Sequence, residues 1–352
     1  MADLRYDPIN DLWVAVAEVR TDRPNEYRPR AEIVPLDRCP FCLGNEAETP
    51  EPIAEATWDS VAHVSRPVTD GRWLVRVIPN RFPAFDPNVS PVERTPTSHG
   101  DSIGSTVEPY QQAHSVHSCQ ELVIESPRHV ESYSQLSDDE RLVSFFVYRE
   151  RLQCYRRNRQ LKYALLFKNC RPDAGASLAH IHSQLFALDF VPSSVSIKNR
   201  RLGRLGSTPS QWLLKQITEF EIARETRLVT QGQRWSMFCP FASRFGFQTW
   251  IVPHHDWAPL WNQDDTAIIE LSRMVQMWTR AIENTVENPA YNVLFHNPLL
   301  RQSNLSGHSY VELFVRIGTV AGFEWGSNCW INPHSPEAAA SLLREKFKEC
   351  DW

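Results

Sequence analysis

The chain lacks the marks of several protein classes. Nowhere among its 352 residues does an uninterrupted apolar run approach the roughly twenty that a membrane helix needs, so no membrane association is expected. An excess of one charge is also missing: 37 Lys and Arg stand against 42 Asp and Glu, spread along the chain, for a net charge of −5. A balance that mild does not drive binding to nucleic acid or to a lipid surface. Cysteine is sparse, eight in all, too few for a disulfide scaffold, and Cys119, Cys154, Cys170, Cys239, Cys329 and Cys350 stand alone in sequence. Glycine, at 13 residues, is outnumbered by 25 prolines, which with 11% aromatics points to a rigid, loop-rich globular enzyme rather than a disordered chain. The opening MADLRYDPIND has no basic segment leading into an apolar one, and a cytoplasmic protein is expected.

What is present has an order. Strands are predicted over Leu12 to Val19 and Trp73 to Pro79, with the turn-rich RCPFCLGNE between them. From Phe85 to Ser118 the chain is polar, rich in Pro, Ser and Thr, which predicts a long surface loop. A strand then runs from Glu121 to Pro127, and Ser137-Asp138-Asp139-Glu140 reads as a capping box ahead of a helix carrying Leu142, Phe145, Phe146 and Leu152. Two more strands follow, Lys162 to Asn169 and His180 to Leu188.

The same order recurs. Phe247 to Pro253 reads as a strand, and Ile268, Leu271, Val275, Trp278 and Ile282 mark a helix. Tyr291 to Asn297 echoes YALLFKN, and His308 to Val315 echoes HIHSQLFA, at a constant offset of 128 positions. Two similar halves are inferred, from about Glu121 to Leu188 and from about Phe247 to Ile317. The second has Tyr310 where the first has His182, so it cannot repeat whatever chemistry His182 performs.

AGASLAHIHSQ, residues 174–184, is the first candidate for that chemistry. On a strand His180, His182 and Gln184 would share one face, and Gly175, Ala176 and Ser177 are small enough to let backbone N–H groups approach a phosphate. That combination suits nucleotidyl transfer through a phosphohistidine, whereas the same histidines also suit metal ligation or a half-buried strand face. CPFC, Cys39 to Cys42, has three readings: a redox pair, two buried thiols, or half a zinc site needing two further ligands. Its turn-like flanks suit the redox reading poorly.

Taken together, RYDPINDLWVAVAEVRTDRP, CPFCLGNEAETP, RVIPNRFPAF, ELVIESPRH, LFKN, AGASLAHIHSQ and GFEWGSNCWINP resemble the galactose-1-phosphate uridylyltransferase family of the histidine-triad superfamily. The tail and the HSQ wording are closer to the branch containing plant ADP-glucose phosphorylase. The resemblance implies an α+β fold of two histidine-triad-like half-units, each with antiparallel strands and a packed helix, forming one extended sheet. Residues 1–188 would be the catalytic half with a zinc site, and 189–352 a half lacking the nucleophile. It further implies His182 as the nucleophile toward the α-phosphorus of a sugar nucleotide, with Gln184 on the phosphoryl group. Cys39, Cys42, His129 and His180 match structural zinc ligands. Arg23, Asn80, Arg81, Asn169 and Ser177 match nucleotide or phosphate contacts, and Glu324 matches a sugar contact that usually reaches across a homodimer.

Departures accompany the resemblance. Ile181 stands where HPH relatives have proline, and no second C-x-x-C exists, so one zinc site is expected and a second one with His255 and His308 is not. The expected reaction moves a nucleoside monophosphate from UDP-glucose to a hexose 1-phosphate. The alternatives are an ADP-glucose phosphorylase using inorganic phosphate, and a nucleotide-binding protein without turnover.

Overall fold

The computed structural model describes residues 3–7, 12–16, 39–59, 64–67, 72–85, 113–114, 116–202, 212–254, 257–301, 309–318 and 320–349. In chain order the elements are β1 (Asp3–Asp7), β2 (Leu12–Val16), β3 (Ala54–Asp59), β4 (Val64–Pro67), β5 (Val75–Pro79), β6 (Ala113–His114) and β7 (Ser118–Ile124), then α1 (Asp138–Arg157), β8 (Tyr163–Cys170) and β9 (His182–Leu188). After them come α2 (Ser193–Leu202), α3 (Leu213–Arg224), β10 (Leu228–Gln231), β11 (Trp235–Phe238), β12 (Thr249–Pro253), α4 (Asp265–Glu283), β13 (Tyr291–His296), β14 (Tyr310–Val315), α5 (Gly322–Ser327) and α6 (Pro336–Lys348). Among the described residues no helix is long and apolar enough to cross a membrane. Most of the Phe85 to Ser118 stretch, residues 86–112, lies outside the described residues.

The start of α1 follows from its sequence. Ser137 accepts from the Glu140 N–H while the Glu140 carboxylate accepts from the Ser137 N–H, satisfying two donors that a helix leaves open. Asp138, Asp139 and Glu140 occupy its first turn and Arg156 and Arg157 its last, as the helix dipole favours.

Eleven strands form one antiparallel sheet in the order β10-β11-β12-β14-β13-β8-β9-β7-β5-β3-β4. The α+β class and the extended sheet are thus as the sequence implies. Directly opposed residues share a face, so the rung Val77, Val123, Ser183, Lys168, Val293, Leu313 points one way and the rung Ile78, Leu122, Gln184, Phe167, Leu294, Glu312, Trp250 the other. The first face carries the main core, with residues of α1 and α4. Phe145 and Tyr148 of α1 meet Phe295 of β13 with ring centroids 5.9 and 5.6 Å apart, so the core is continuous across the β8–β13 seam. The second face carries the candidate site.

The repeat is real, but its register differs from the sequence match. Asp138 and Asp265 open α1 and α4, 127 positions apart. The rungs Phe167↔Leu294 in β8–β13, Leu165↔Phe186 in β8–β9 and Asn292↔Phe314 in β13–β14 superpose only if β8 maps onto β13 at 127 and β9 onto β14 at 128. Asn169 therefore corresponds to His296, not Asn297, and Lys168 to Phe295. Matching Tyr163 with Tyr291 would equate opposite faces, because one residue of slip flips every side chain of a strand.

With this register, the positions of Asn169, His182 and Gln184 are taken in the second half by His296, Tyr310 and Glu312. These are not idle. Glu312 accepts from His296 Nε2 at 2.8 Å and Arg244 Nη2 at 3.1 Å, while Lys198 Nζ donates to His296 Nδ1 at 3.3 Å. Burial pushes the Glu312 carboxyl up, but the His296 hydrogen bond with Arg244 and Lys198 outweighs it and holds the pKa at about 2. Burial, reinforced by Lys198, pushes His296 down.

Both groups bind protons more readily in the unfolded chain, so their contribution to stability is complete above the unfolded pKa and is lost as pH falls toward the folded one. A carboxyl moved from 4.5 to about 2 carries about 3 kcal/mol. Chemical unfolding followed from neutral pH to about pH 3 should show stability falling below about pH 6.5 as His296 gains a proton in the unfolded chain, and more steeply below about pH 4.5, with a shallower fall there in Glu312→Gln. Parallel curves for the two proteins would remove Glu312 from the acid response.

Candidate active site

The site begins with the turn that CPFC forms. The Cys42 N–H bonds the Cys39 carbonyl at 3.2 Å and the Asn45 side chain bonds it at 2.8 Å, which presents both sulfurs on one side. His129 and His180 complete the group. The four ligand atoms lie within 4.8 Å of one another, with Cys39 Sγ to His180 Nδ1 at 3.5 Å and Cys42 Sγ to His129 and His180 Nδ1 at 3.4 and 3.6 Å. Tetrahedral zinc with bonds of about 2.0–2.3 Å sets its ligands roughly 3.3–3.8 Å apart, so these residues could hold a zinc ion.

The protonation pattern supports this. His180 Nε2 lies 2.9 Å from the Ser126 carbonyl, which can only accept, so the proton sits there and Nδ1 faces the sulfurs as a lone pair. Burial pushes the Cys39 thiol up to about 12 and the His180 imidazole down to about 4, so without a metal both of these are neutral. Binding a cation there displaces thiol protons.

His180 is not on the strand as the sequence suggested. It sits in a bend and β9 opens at His182, so His180 turns to the cysteines while His182 and Gln184 share the outer face. The His182 ring is held by the same logic: Nδ1 lies 2.8 Å from the His180 carbonyl, which fixes the proton on Nδ1 and the lone pair on Nε2. Phe41, between the two cysteines, packs edge-on to both histidines at 5.9 and 5.4 Å. The metal-type cluster and the candidate nucleophile are thereby one packed unit.

Gln184 is 4% exposed and lies two residues along β9 from His182, on the same face. Lys168↔Ser183 is the last rung of β8–β9, so Asn169 lies one step further, beside His182. Pro172 to Ala174 form a single tight turn ending at Gly175, whose φ of +92° suits glycine, and Ser177 follows on the way to His180. A Cβ at Gly175 would sit 3.4 Å from Asn169 Nδ2, so the small loop closes on Asn169. Asn80, just past β5, donates its N–H to the Gln120 carbonyl at 2.8 Å, and its side-chain oxygen accepts from Phe82 N–H at 3.0 Å.

Arg81 is exposed and points at the Glu48 carbonyl, 3.4 Å away. Glu324 sits in α5, where it accepts from the Ala321 N–H at 3.1 Å. The segment after α5 is tied to the turn before β12 by Asn332, which bonds the Ser243 and Phe245 carbonyls. Four strand spacings, about 19 Å, separate β12 from β9. Arg23, His255 and His308 lie outside the described residues.

The sequence did not point to what lies behind His182. On the opposite face Lys168 and Glu125 form an ion pair, 1% and 0% exposed, joined by Ser183 and Tyr148. Their second-half counterparts are Phe295, Pro253 and Val311, so the buried charges belong to the His182 half alone. Nor did the sequence point to Asn292, on β13 beside Asn169.

Comparison with known proteins follows this geometry. The family model described as a domain of unknown function, DUF4921, matches residues 124–350. ADP-glucose phosphorylase of Arabidopsis thaliana is 27% identical over 350 residues, covering 97% of this chain and 92% of that protein. Galactose-1-phosphate uridylyltransferase of Thermotoga maritima is 24% identical, covering 98% of each. The solved structure of an Arabidopsis thaliana ADP-glucose phosphorylase with bound ADP-glucose superposes with a TM-score of 0.70 at 26% identity, over 98% of both chains. With the family model spanning well over half its length and relatives of this kind along nearly all of it, the chain belongs to the DUF4921 family, within the galactose-1-phosphate uridylyltransferase-like group.

Proposed function

We propose that the chain is a nucleotidyltransferase working through a covalent nucleotidyl-His182. The observation that carries this is the His182 ring itself: buried, with the Nδ1 proton on the His180 carbonyl and the lone pair left on Nε2. Nε2 attacks the α-phosphorus of a nucleotide sugar, the bond from that phosphorus to the departing phosphate oxygen breaks, and hexose 1-phosphate leaves. The Nδ1 hydrogen bond stabilises the cationic imidazole that results. A phosphate oxygen of the acceptor then attacks the same phosphorus and the N–P bond breaks, restoring the lone pair. Gln184 and Asn169 donate to the phosphoryl oxygens, and Ser177 and the backbone after Gly175 line the same region. Asn80, Arg81 and Arg23 serve the nucleotide.

The donor is UDP-glucose and the acceptor a hexose 1-phosphate in the first reading. In the second the donor is ADP-glucose and the acceptor inorganic phosphate; the 27% identity along 97% of the chain to a plant ADP-glucose phosphorylase favours it. Glu324, exposed α5 and the flanking Phe323 and Trp325, 55% and 74% exposed, suit a homodimer in which Glu324 reaches the sugar of the other subunit. Zinc on Cys39, Cys42, His129 and His180 serves as a structural brace for the turn leading into β9, since all four positions are protein ligands.

Three measurements test this. Incubation with UDP-glucose or ADP-glucose should add the mass of one nucleoside monophosphate to the denatured chain, and His182→Ala should abolish the addition. Crossing both donors with phosphate and galactose 1-phosphate as acceptors separates the two readings. Binding without an adduct or hexose phosphate release would leave a nucleotide-binding protein. Elemental analysis should find one zinc per chain, with Cys42→Ser losing it and lowering the melting temperature; full zinc retention in that variant would exclude the four-residue site.

A further inference from the structure

The second half of the chain supplies one side chain to the site. Asn292 on β13 lies directly opposite Asn169 on β8 and is 9% exposed. Its Nδ2 donates to two oxygens at once, Asn169 Oδ1 at 2.9 Å and the Ala174 carbonyl at 2.9 Å. The order of cause is fixed by chemistry. A peptide carbonyl can only accept, so the Ala174 oxygen compels Asn292 to turn its nitrogen inward. The second hydrogen of that nitrogen then compels Asn169 to present its oxygen. The Asn169 nitrogen is left facing the other way, 3.4 Å from the Gly175 carbonyl and toward the small-residue loop.

Phosphoryl oxygens also only accept, so an amide serving them must offer N–H and not C=O. We propose that Asn292 is a positioning residue for nucleotidyl transfer, holding the Asn169 carboxamide with its donor end toward the phosphate. This rests on the reading of His182 and Asn169 given above. Symmetry supports a specific role: at the register of the two halves Asn292 corresponds to Leu165, so the second half has no such relay.

The isosteric Asn292→Asp replaces the shared donor by an acceptor. The Asn169 amide must then rotate to donate toward β13, and its carbonyl oxygen would face the phosphate. The single-turnover rate of His182 nucleotidylation, measured with UDP-glucose and with ADP-glucose, should fall about 10- to 100-fold. Asn292→Ala, which leaves only the Gly175 carbonyl to hold the Asn169 nitrogen outward, should lower it less. In an Asn169→Ala background, Asn292→Asp should change the rate by no more than about 2-fold, because the group it acts through is gone.

Full loss in both backgrounds, or a rate unchanged by Asn292→Asp while Asn169→Ala lowers it, would overturn the proposal. If Asn292→Asp does not fold, as judged by circular dichroism and zinc content, the same cycle is read with Asn292→Ala. A nucleotidylation rate indifferent to Asn169→Ala would overturn both the phosphate role of Asn169 and the relay, while His182 chemistry would stand. Absence of any His182 adduct in the unaltered protein would be a failure of the functional reading itself.

Discussion

A peptide carbonyl accepts hydrogen bonds and never donates them, and three such carbonyls decide where the protons of this site lie. Ser126 takes the Nε2 proton of His180 and so turns Nδ1 to the two sulfurs. His180 in turn takes the Nδ1 proton of His182 and leaves the lone pair on Nε2. Ala174 holds Asn292, and through it Asn169. None of these needs a second titrating group. Main-chain geometry is rigid and its carbonyl cannot ionise, so the orientation survives changes in pH that would scramble a site built on side chains alone. Preorganisation of this kind is what makes hydrogen-bond donors effective toward developing charge.

The two halves show how one scaffold came to two outcomes. Where the first carries Asn169, His182 and Gln184, the second carries His296, Tyr310 and Glu312, satisfied internally by Lys198, Arg244 and each other. On the core face the trade runs the other way. Lys168, Glu125 and Ser183 of the first half are matched by apolar residues in the second, where an ordinary core suffices. A buried ion pair is costly to desolvate and stabilises little, so its restriction to the strands carrying His182 separates this pair from general packing. The halves are also not independent: Phe145 and Tyr148 rest on Phe295 across the seam, and Asn292 crosses it on the other face.

Much of this was legible in sequence because it is local. The α1 capping box, strands β8 and β13, and the spacing within CPFC each depend on residues a few positions apart, and local chemistry dictates them. The four cysteine and histidine residues were reachable only through resemblance, since His129 and His180 stand far from Cys39 in the chain. Their convergence within 4.8 Å is a product of the β7–β9 pairing and the turn packed over it.

By itself the sequence determined the elements of the repeat, its existence and the identity of the groups with chemistry to offer. Tertiary structure alone decided the register of that repeat, because YALLFKN and YNVLFHN match best at an offset that puts equivalent side chains on opposite faces. It also decided which atoms of those groups face the reaction. A sequence names a histidine or an asparagine, but which nitrogen carries the proton, and which end of the amide faces the Gly175 loop, depends on carbonyls brought close by folding: Ser126 to His180, and Ala174 to Asn292.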